Sequence, residues 1–299
     1  MLQPKPHHTV LPAQLPDELI QLLDGAGIRL TLDELQQLRD RLHAVVNYHA
    51  TIGVMGKTGA GKSSLCNALF GREVAEVSAI EACTRSPQEI DWSMQQGKGL
   101  SLIDMPGVGE SGSRHDEYTA LYRRLLPELD LVLWVIKGDD RALSIDEQFY
   151  QQVLLPELWD RAIPVVMVVS QVDKIEPCRE WDWVKNRPGP FQHRNIDAKV
   201  EQVCRVFKLP RSQVCAIAAE EGYGLVELVE KIVTILPNEK KWSFTREARQ
   251  ETVSECAWRS ASKGLWETLT SAVVAIARES WDFVSSKLSA LAGRLFSWW

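Results

Sequence analysis

The sequence has no CxxC pair among its six cysteines, Cys66, Cys83, Cys178, Cys204, Cys215 and Cys256. Thiols scattered in this way form neither a clustered zinc-ligand set nor a redox dithiol, so they are expected as small buried hydrophobes in a reducing compartment. The start, MLQPKPHH, lacks the apolar stretch of a secretory signal peptide, and the expectation is a cytoplasmic protein. Long apolar runs are missing as well. In the apolar C-terminal region the longest charge-free stretch runs from Thr268 to Ala277, far short of the about 20 residues of a spanning helix. Nor is there a surplus of positive charge: 34 Lys and Arg face 40 Asp and Glu, a formal net charge of −6. That argues against nucleic acid as a partner held by bulk charge. What the 299 residues do contain is 45% hydrophobic and 25% charged side chains, enough for a large core in one domain with appendages, or in two.

Texture along the chain suggests four segments. Residues 1–14, with Pro4, Pro6 and Pro12, have no periodic pattern and read as a flexible arm. In 15–49, Leu19, Leu22, Leu23, Leu35, Leu38, Leu42, Val45 and Val46 recur at helical spacing around Gly25 and Gly27, which predicts a helical hairpin. From 50 to 237 the short apolar runs TIGVM, LSLIDM, LVLWVI, VVMVVS and VCAIA alternate with helical segments. Such alternation marks an α/β domain with a doubly wound, mostly parallel sheet covered on both faces. QEIDW, from Gln88 to Trp92, adds a sixth strand, expected antiparallel at an edge. The last segment, 238–299, is a helical tail with six of the 11 tryptophans (Trp242, Trp258, Trp266, Trp281, Trp298, Trp299). Its residues Leu265, Leu269, Val273, Ile276, Val284, Leu288, Leu291, Leu295 and Trp298 share one helical stripe, with a skipped turn near Ser280. From Trp242 onward it carries 7 basic and 6 acidic residues. That balance favours packing on residues 15–49 or in a homodimer over peripheral contact of 265–299 with the inner face of a membrane.

The sharpest chemical signal is Gly56-Lys57-Thr58-Gly59-Ala60-Gly61-Lys62-Ser63, which satisfies GxxxxGK[ST] between an apolar strand and the helical run SLCNALF. Glycines let successive N–H groups and the helix N-terminus turn toward phosphates, Lys62 adds a positive charge at the β and γ oxygens, and the Ser63 hydroxyl suits Mg²⁺. Gly56 through Ser64 are therefore the expected phosphate-binding residues of a nucleoside di- or triphosphate site.

The later motifs resemble those of the Era/TrmE-like branch of the translation-factor-related P-loop GTPases, whose fold is a Ras-like G domain. Asp104-Met105-Pro106-Gly107 is similar to the DxPG element of that family, and the resemblance implies that Asp104 holds Mg²⁺ through water while the Gly107 N–H senses the γ-phosphate. Ala82-Cys83-Thr84-Arg85 resembles the segment in which a threonine, here Thr84, closes over Mg²⁺ and the γ-phosphate. Lys62, Thr84 and Gly107 would then serve catalysis, and Ser63, Thr84 and Asp104 the metal. Ser170-Gln171-Val172-Asp173 stands where the family has [NT]KxD, so that Gln171 and Asp173 would meet the base. Asp173 would accept from guanine, with large discrimination because the wrong base leaves a carboxylate unpaired. Ser170 and Gln171 depart from the family pattern and imply weaker base contacts. Ala218-Ala219-Glu220, followed by Gly222-Tyr223-Gly224-Leu225, is similar to the segment whose backbone N–H meets guanine O6.

Where Ras-like enzymes carry a water-orienting glutamine, Gly107 is followed here by Val108, an apolar side chain. The resemblance is strongest to the bacterial YfjP/YeeP-type GTP-binding proteins, in which a helical N-terminal segment and a Trp-rich tail flank the GTPase domain. It implies a Mg²⁺-dependent switch that binds GTP and GDP, hydrolyses GTP slowly and acts on an unidentified protein effector. The alternative is a nucleotide-gated binding module with negligible hydrolysis. Residues 175–195, with Trp181, Trp183, Lys185, Arg187, His193 and Arg194, interleave aromatic and basic side chains and read as a surface insertion, the alternative being a stacking platform for RNA.

Overall fold

The structure is a computed structural model that describes residues 15–25, 27–71, 88–92, 100–104, 123, 125–278 and 282–286. The chain divides into two compact units, one of 1–48, 237–242 and 259–299, the other of 49–236 and 243–258.

In the first unit, helices α1 (Leu15–Gly25) and α2 (Leu32–Val46) bury Leu19, Leu23, Leu38, Leu42 and Val46. Their start and stop signals are local. Gly27 takes φ 82°, and Thr31 closes a capping box with Glu34, whose carboxylate accepts from the Thr31 N–H at 2.9 Å.

The second unit holds a six-stranded sheet ordered β2-β3-β1-β4-β5-β6: β1 Ala50–Gly56, β2 Gln88–Trp92, β3 Leu100–Asp104, β4 Leu131–Lys137, β5 Val165–Ser170 and β6 Val214–Ala216. All pairings are parallel except β2 with β3, so QEIDW is the antiparallel edge strand expected from sequence. The strands β4 and β5 are apolar up to their last residues because both faces are covered: Leu131 to Ile136 and Val165 to Val169 are all buried. Fully burying such a side chain is worth about 1.5–3 kcal/mol.

Around the sheet run α3 (Lys62–Phe70), α4 (Ser144–Phe149), α5 (Leu155–Asp160), α6 (Pro190–Phe207) and α7 (Leu225–Ile235). A wide π turn, Tyr150–Leu154, joins α4 to α5, and Pro156 opens α5, where its missing N–H costs least. Trp134 lies fully buried in mid-sheet, with Phe149 at 6.0 Å between ring centroids. Tyr150 meets Phe207 edge-on at 5.4 Å.

The helical tail is divided between the units. Helix α8 (Asn238–Glu247) begins in the first and ends in the second, and α9 (Glu255–Ala277) does the reverse. Within the second unit the Ala50 N–H donates to Ser243 Oγ at 3.1 Å, the Arg249 N–H to the Leu69 carbonyl at 2.7 Å, and Phe244 packs edge-on against Phe70 at 5.9 Å. Within the first, Asn238 Nδ2 donates to Glu267 Oε2 at 2.8 Å, and Gly264 leaves room for Asn238 beside α9. The stripe residues Leu265, Leu269, Val273 and Val284 are buried, as are Trp242 and Trp266, and α9 stops where Arg278 turns left-handed at φ 55°. Among the described residues no helix is long and apolar enough to cross a membrane.

Candidate nucleotide-binding site

The carboxyl ends of β1, β3, β4, β5 and β6 lie along one edge of the parallel sheet, the edge where open α/β sheets bind ligands. The P-loop leaves β1 there. Gly56, Gly59 and Gly61 have φ of 138°, 77° and 91°, values that need glycine. At Gly56 a Cβ would also strike the Val135 carbonyl of β4. The loop ends at the N-terminus of α3, which Lys62, Ser63 and Ser64 open. Successive backbone N–H groups at a helix start form an anion cradle. Lys62 Nζ donates back over the loop, to the Gly56 and Lys57 carbonyls at 3.2 and 3.4 Å.

The Lys57 side chain points to the turn after β4. Its ammonium lies 2.8 Å from Asp140 Oδ2, 2.7 Å from Asp146 Oδ2 and 2.6 Å from the Ala142 carbonyl. This ties the P-loop to the turn after β4 and leaves Lys57 its backbone for phosphate. Burial opposes the charge of Lys57, but the two carboxylates outweigh it and its pKa lies above the ordinary lysine value. Burial likewise pushes the nearly inaccessible Asp146 carboxyl up, against the pull of Lys57. The more open Asp140 is also raised by burial, yet the hydrogen bonds from Lys57 and the Ala142 N–H hold it below the usual carboxylate value. Lys199 of α6 completes the group, donating to the Asp140 carbonyl at 2.5 Å, with burial lowering its pKa. A cavity of 330 Å³ adjoins these residues, lined by Lys57, Thr58, Ala60, Lys137, Asp140 and Arg141 among others.

At the end of β5, Ser170 and Gln171 reach the same P-loop. Ser170 Oγ donates to the Ala60 carbonyl at 2.5 Å, and Gln171 Nε2 to the Gly59 carbonyl at 3.0 Å. Gln171 Oε1 accepts from Lys174 Nζ at 3.0 Å. The two residues that depart from the family pattern thus join the P-loop to the Gln171–Lys174 turn. Gln171 sits at φ 54°, and the next turn carries Asp173, half-buried, whose carboxylate makes no hydrogen bond or ion pair with any described residue. The Val172 N–H donates to the Ile217 carbonyl at 3.1 Å, locking this loop to the exit of β6. There the Ala218 N–H is spent on the Tyr223 carbonyl at 3.1 Å, which leaves Ala219 the amide for another partner.

Asp104 ends β3, in register with Val54 of β1, two residues before Gly56. Ser63 stands in the first turn of α3, the helix that follows β1. Among the described residues no group of three or more His, Cys, Asp or Glu forms a metal cage. Thr84, Gly107 and Val108 lie outside the described residues. In the 175–195 insertion Trp181 is core, edge-on to Tyr223 at 5.5 Å, whereas Trp183 and Phe191 are exposed and Arg194 covers the Phe191 ring at 5.1 Å.

Sequence reading missed the roles of Asp140, Asp146 and Lys199. It also missed Gln192, although that glutamine heads the apolar stripe Ile196, Val200, Val203, Phe207 and is itself fully buried. One polar residue on a buried stripe was the available signal.

Comparison with known proteins matches residues 51–171 to the family described as 50S ribosome-binding GTPase. The chain is 35% identical to YfjP of Escherichia coli strain K12 over 291 residues, covering 89% of this chain and 98% of that one. It is 44% identical to YkfA of the same strain over 205 residues, 68% of each. Among solved structures, Aquifex aeolicus Era bound to GDP.AlF4⁻ is 24% identical, with a TM-score of 0.47 over 63% of this chain and 57% of that one. Another Era structure, 24% identical with a TM-score of 0.46 over 63% of this chain and 57% of that one, contains MgGDPNP and nucleotides 1506–1542 of 16S ribosomal RNA. The chain therefore belongs to the family of YfjP and YkfA, and its residues 51–171, which carry the P-loop, match the 50S ribosome-binding GTPase family.

Proposed function

We propose that the protein is a Mg²⁺-dependent guanine-nucleotide switch that hydrolyses GTP slowly. Guanine-nucleotide binding follows from family membership. The observation that carries the finer reading is the pair of hydrogen bonds from Ser170 and Gln171 to the Ala60 and Gly59 carbonyls, which sets the turn that carries Asp173 beside the phosphate loop. In this reading the P-loop amides and Lys62 hold the β- and γ-phosphates, and Ser63, Thr84 and Asp104 hold Mg²⁺, which neutralises phosphate charge when bound. Asp173 accepts from the guanine N1–H and amine, and the Ala219 N–H meets O6. Lys62 stabilises charge on the transferred phosphoryl group. Val108 cannot orient water, which supports slow intrinsic turnover. Order and release of Thr84 and the Gly107 segment would pass the nucleotide state to an effector. With Trp242 and Trp266 buried, the described part of the tail supports packing on protein rather than on a membrane surface.

The test is phosphate release from GTP by the full chain with and without Mg²⁺, beside the Lys62→Ala variant. The expected result is Mg²⁺-dependent release slower than the about 1 s⁻¹ lower end of ordinary enzymes. Release no faster than that of Lys62→Ala would replace the switch with a binding module lacking hydrolysis.

A further inference from the structure

Base discrimination by Asp173 requires that its carboxylate be aimed, yet the residue sits on a short turn with no side-chain partner among the described residues. What holds that turn is helix α6. Gln192, fully buried, directs Nε2 at three backbone carbonyls of the loop, Asp173 at 2.9 Å, Ile175 at 2.9 Å and Val172 at 3.5 Å. Three carbonyl oxygens around one atom identify it as the amide nitrogen, whose two N–H groups serve the two short contacts. Its Oε1 is buried without a partner among the described residues. Replacing the amide by an apolar group would orphan the loop carbonyls that it now serves. One helical turn on, Asn195 Nδ2 donates to the Glu176 carbonyl at 2.7 Å.

The helix is itself indexed to the loop. Glu180 Oε2 accepts from the Phe191 and Gln192 N–H groups at 2.9 and 3.3 Å, capping α6 from the insertion, and Gly189 is required because a Cβ there would strike Glu180. Gln192 is therefore fixed along the helix axis by the segment that its own side chain holds.

We propose that Gln192, assisted by Asn195, is a positioning residue for guanine specificity: it sets the Val172–Ile175 turn so that Asp173 meets the base edge. The inference rests on the reading of Asp173 as the base-reading carboxylate. Lys199 lies further along the same helix and holds the Asp140 turn, which through Lys57 holds the P-loop. Base and phosphate contacts are thus supported by different residues and can be separated by experiment.

The probes are GDP, IDP and inorganic pyrophosphate, titrated into the full chain with Mg²⁺. IDP lacks only the exocyclic amine that Asp173 would accept from, and pyrophosphate reports on the P-loop alone. Gln192→Met keeps the volume and removes the donors. It is expected to lower the GDP:IDP affinity ratio about tenfold with pyrophosphate affinity unchanged, and Asn195→Ala, at an exposed position, about threefold, charged hydrogen bonds being worth that order. Asp173→Asn reports on the reading beneath: collapse of the ratio upholds it, and an unchanged ratio refutes it. If Asp173→Asn collapses the ratio while Gln192→Met keeps it, or lowers all three affinities together, the positioning role is overturned. Should Gln192→Met not fold, Asn195→Ala decides alone, and a wild-type ratio in that variant overturns the proposal.

Discussion

Replacing Lys57 by Met would test whether the P-loop is held by the turn after β4. The change removes an ammonium lying 2.7 Å from Asp146 Oδ2 and 2.8 Å from Asp140 Oδ2, and leaves Asp146, 1% exposed, facing a second carboxylate. Breaking a buried pair costs about 3–5 kcal/mol. Two features place this pair at or below the low end of that range. The Lys57 side chain is 23% exposed, so water replaces part of the contact, and Asp146, already pushed up by burial, can take a proton instead. The expected loss is about 2–3 kcal/mol. For a unit of this size each kcal/mol moves Tm by about 2–4 °C, so thermal unfolding of the nucleotide-free chain, followed by circular dichroism, should drop by about 4–12 °C. Removing the orphaned carboxylate as well, in Lys57→Met with Asp146→Leu, should recover at least half of the loss, because an apolar pair of similar volume often matches a buried ion pair. A single variant within about 1 °C of wild type, or a double variant worse than either single one, would refute the tether.

Asp140 sets a pH signature for the same group. Its carboxyl is held below 3.8 in the fold, so its contribution is complete above pH 3.8 and is lost as pH falls through the lower folded value. The stability gap between wild type and Asp140→Asn should be constant from pH 5 to 8 by about 0.5 kcal/mol or better and close below 3.8; a gap that widens in acid would contradict the assignment. Maleimide labelling of the native chain followed by peptide mass spectrometry should modify the exposed Cys256 and spare Cys215, which is buried with its thiol pushed up to about 12. Labelling of Cys215 at a rate equal to Cys256 would show that β6 is not packed as described. Thr31→Ala removes the capping box of α2 and should cost about 1 kcal/mol in denaturant unfolding; no loss would mean that the cap contributes nothing to the first unit.

The P-loop and the sheet were legible in the sequence for the same reason. Both depend on local pattern, a fixed spacing of glycines and a run of apolar residues between turns, and QEIDW declared its edge position by its charge and brevity. The partners of Lys57 were not legible. Asp140 and Asp146 lie 83 and 89 residues away, and only the pairing of β1 with β4 brings their turn beside the P-loop. The links that Ser170 and Gln171 make to Ala60 and Gly59 were not legible either, because a short hydroxyl and a primary amide find a carbonyl brought near only by the fold. Cys256, expected buried, is exposed on the first turn of α9, where helical phase and not residue type decides the environment.

The central claim, that one receptor reads both guanine and phosphate, is tested most directly by isothermal titration of the full chain with GDP and with ATP in Mg²⁺. The account predicts saturable binding of GDP and at least about 100-fold weaker binding of ATP, since adenine cannot satisfy the Asp173 carboxylate. Equal affinity for the two, or binding of neither, would contradict it.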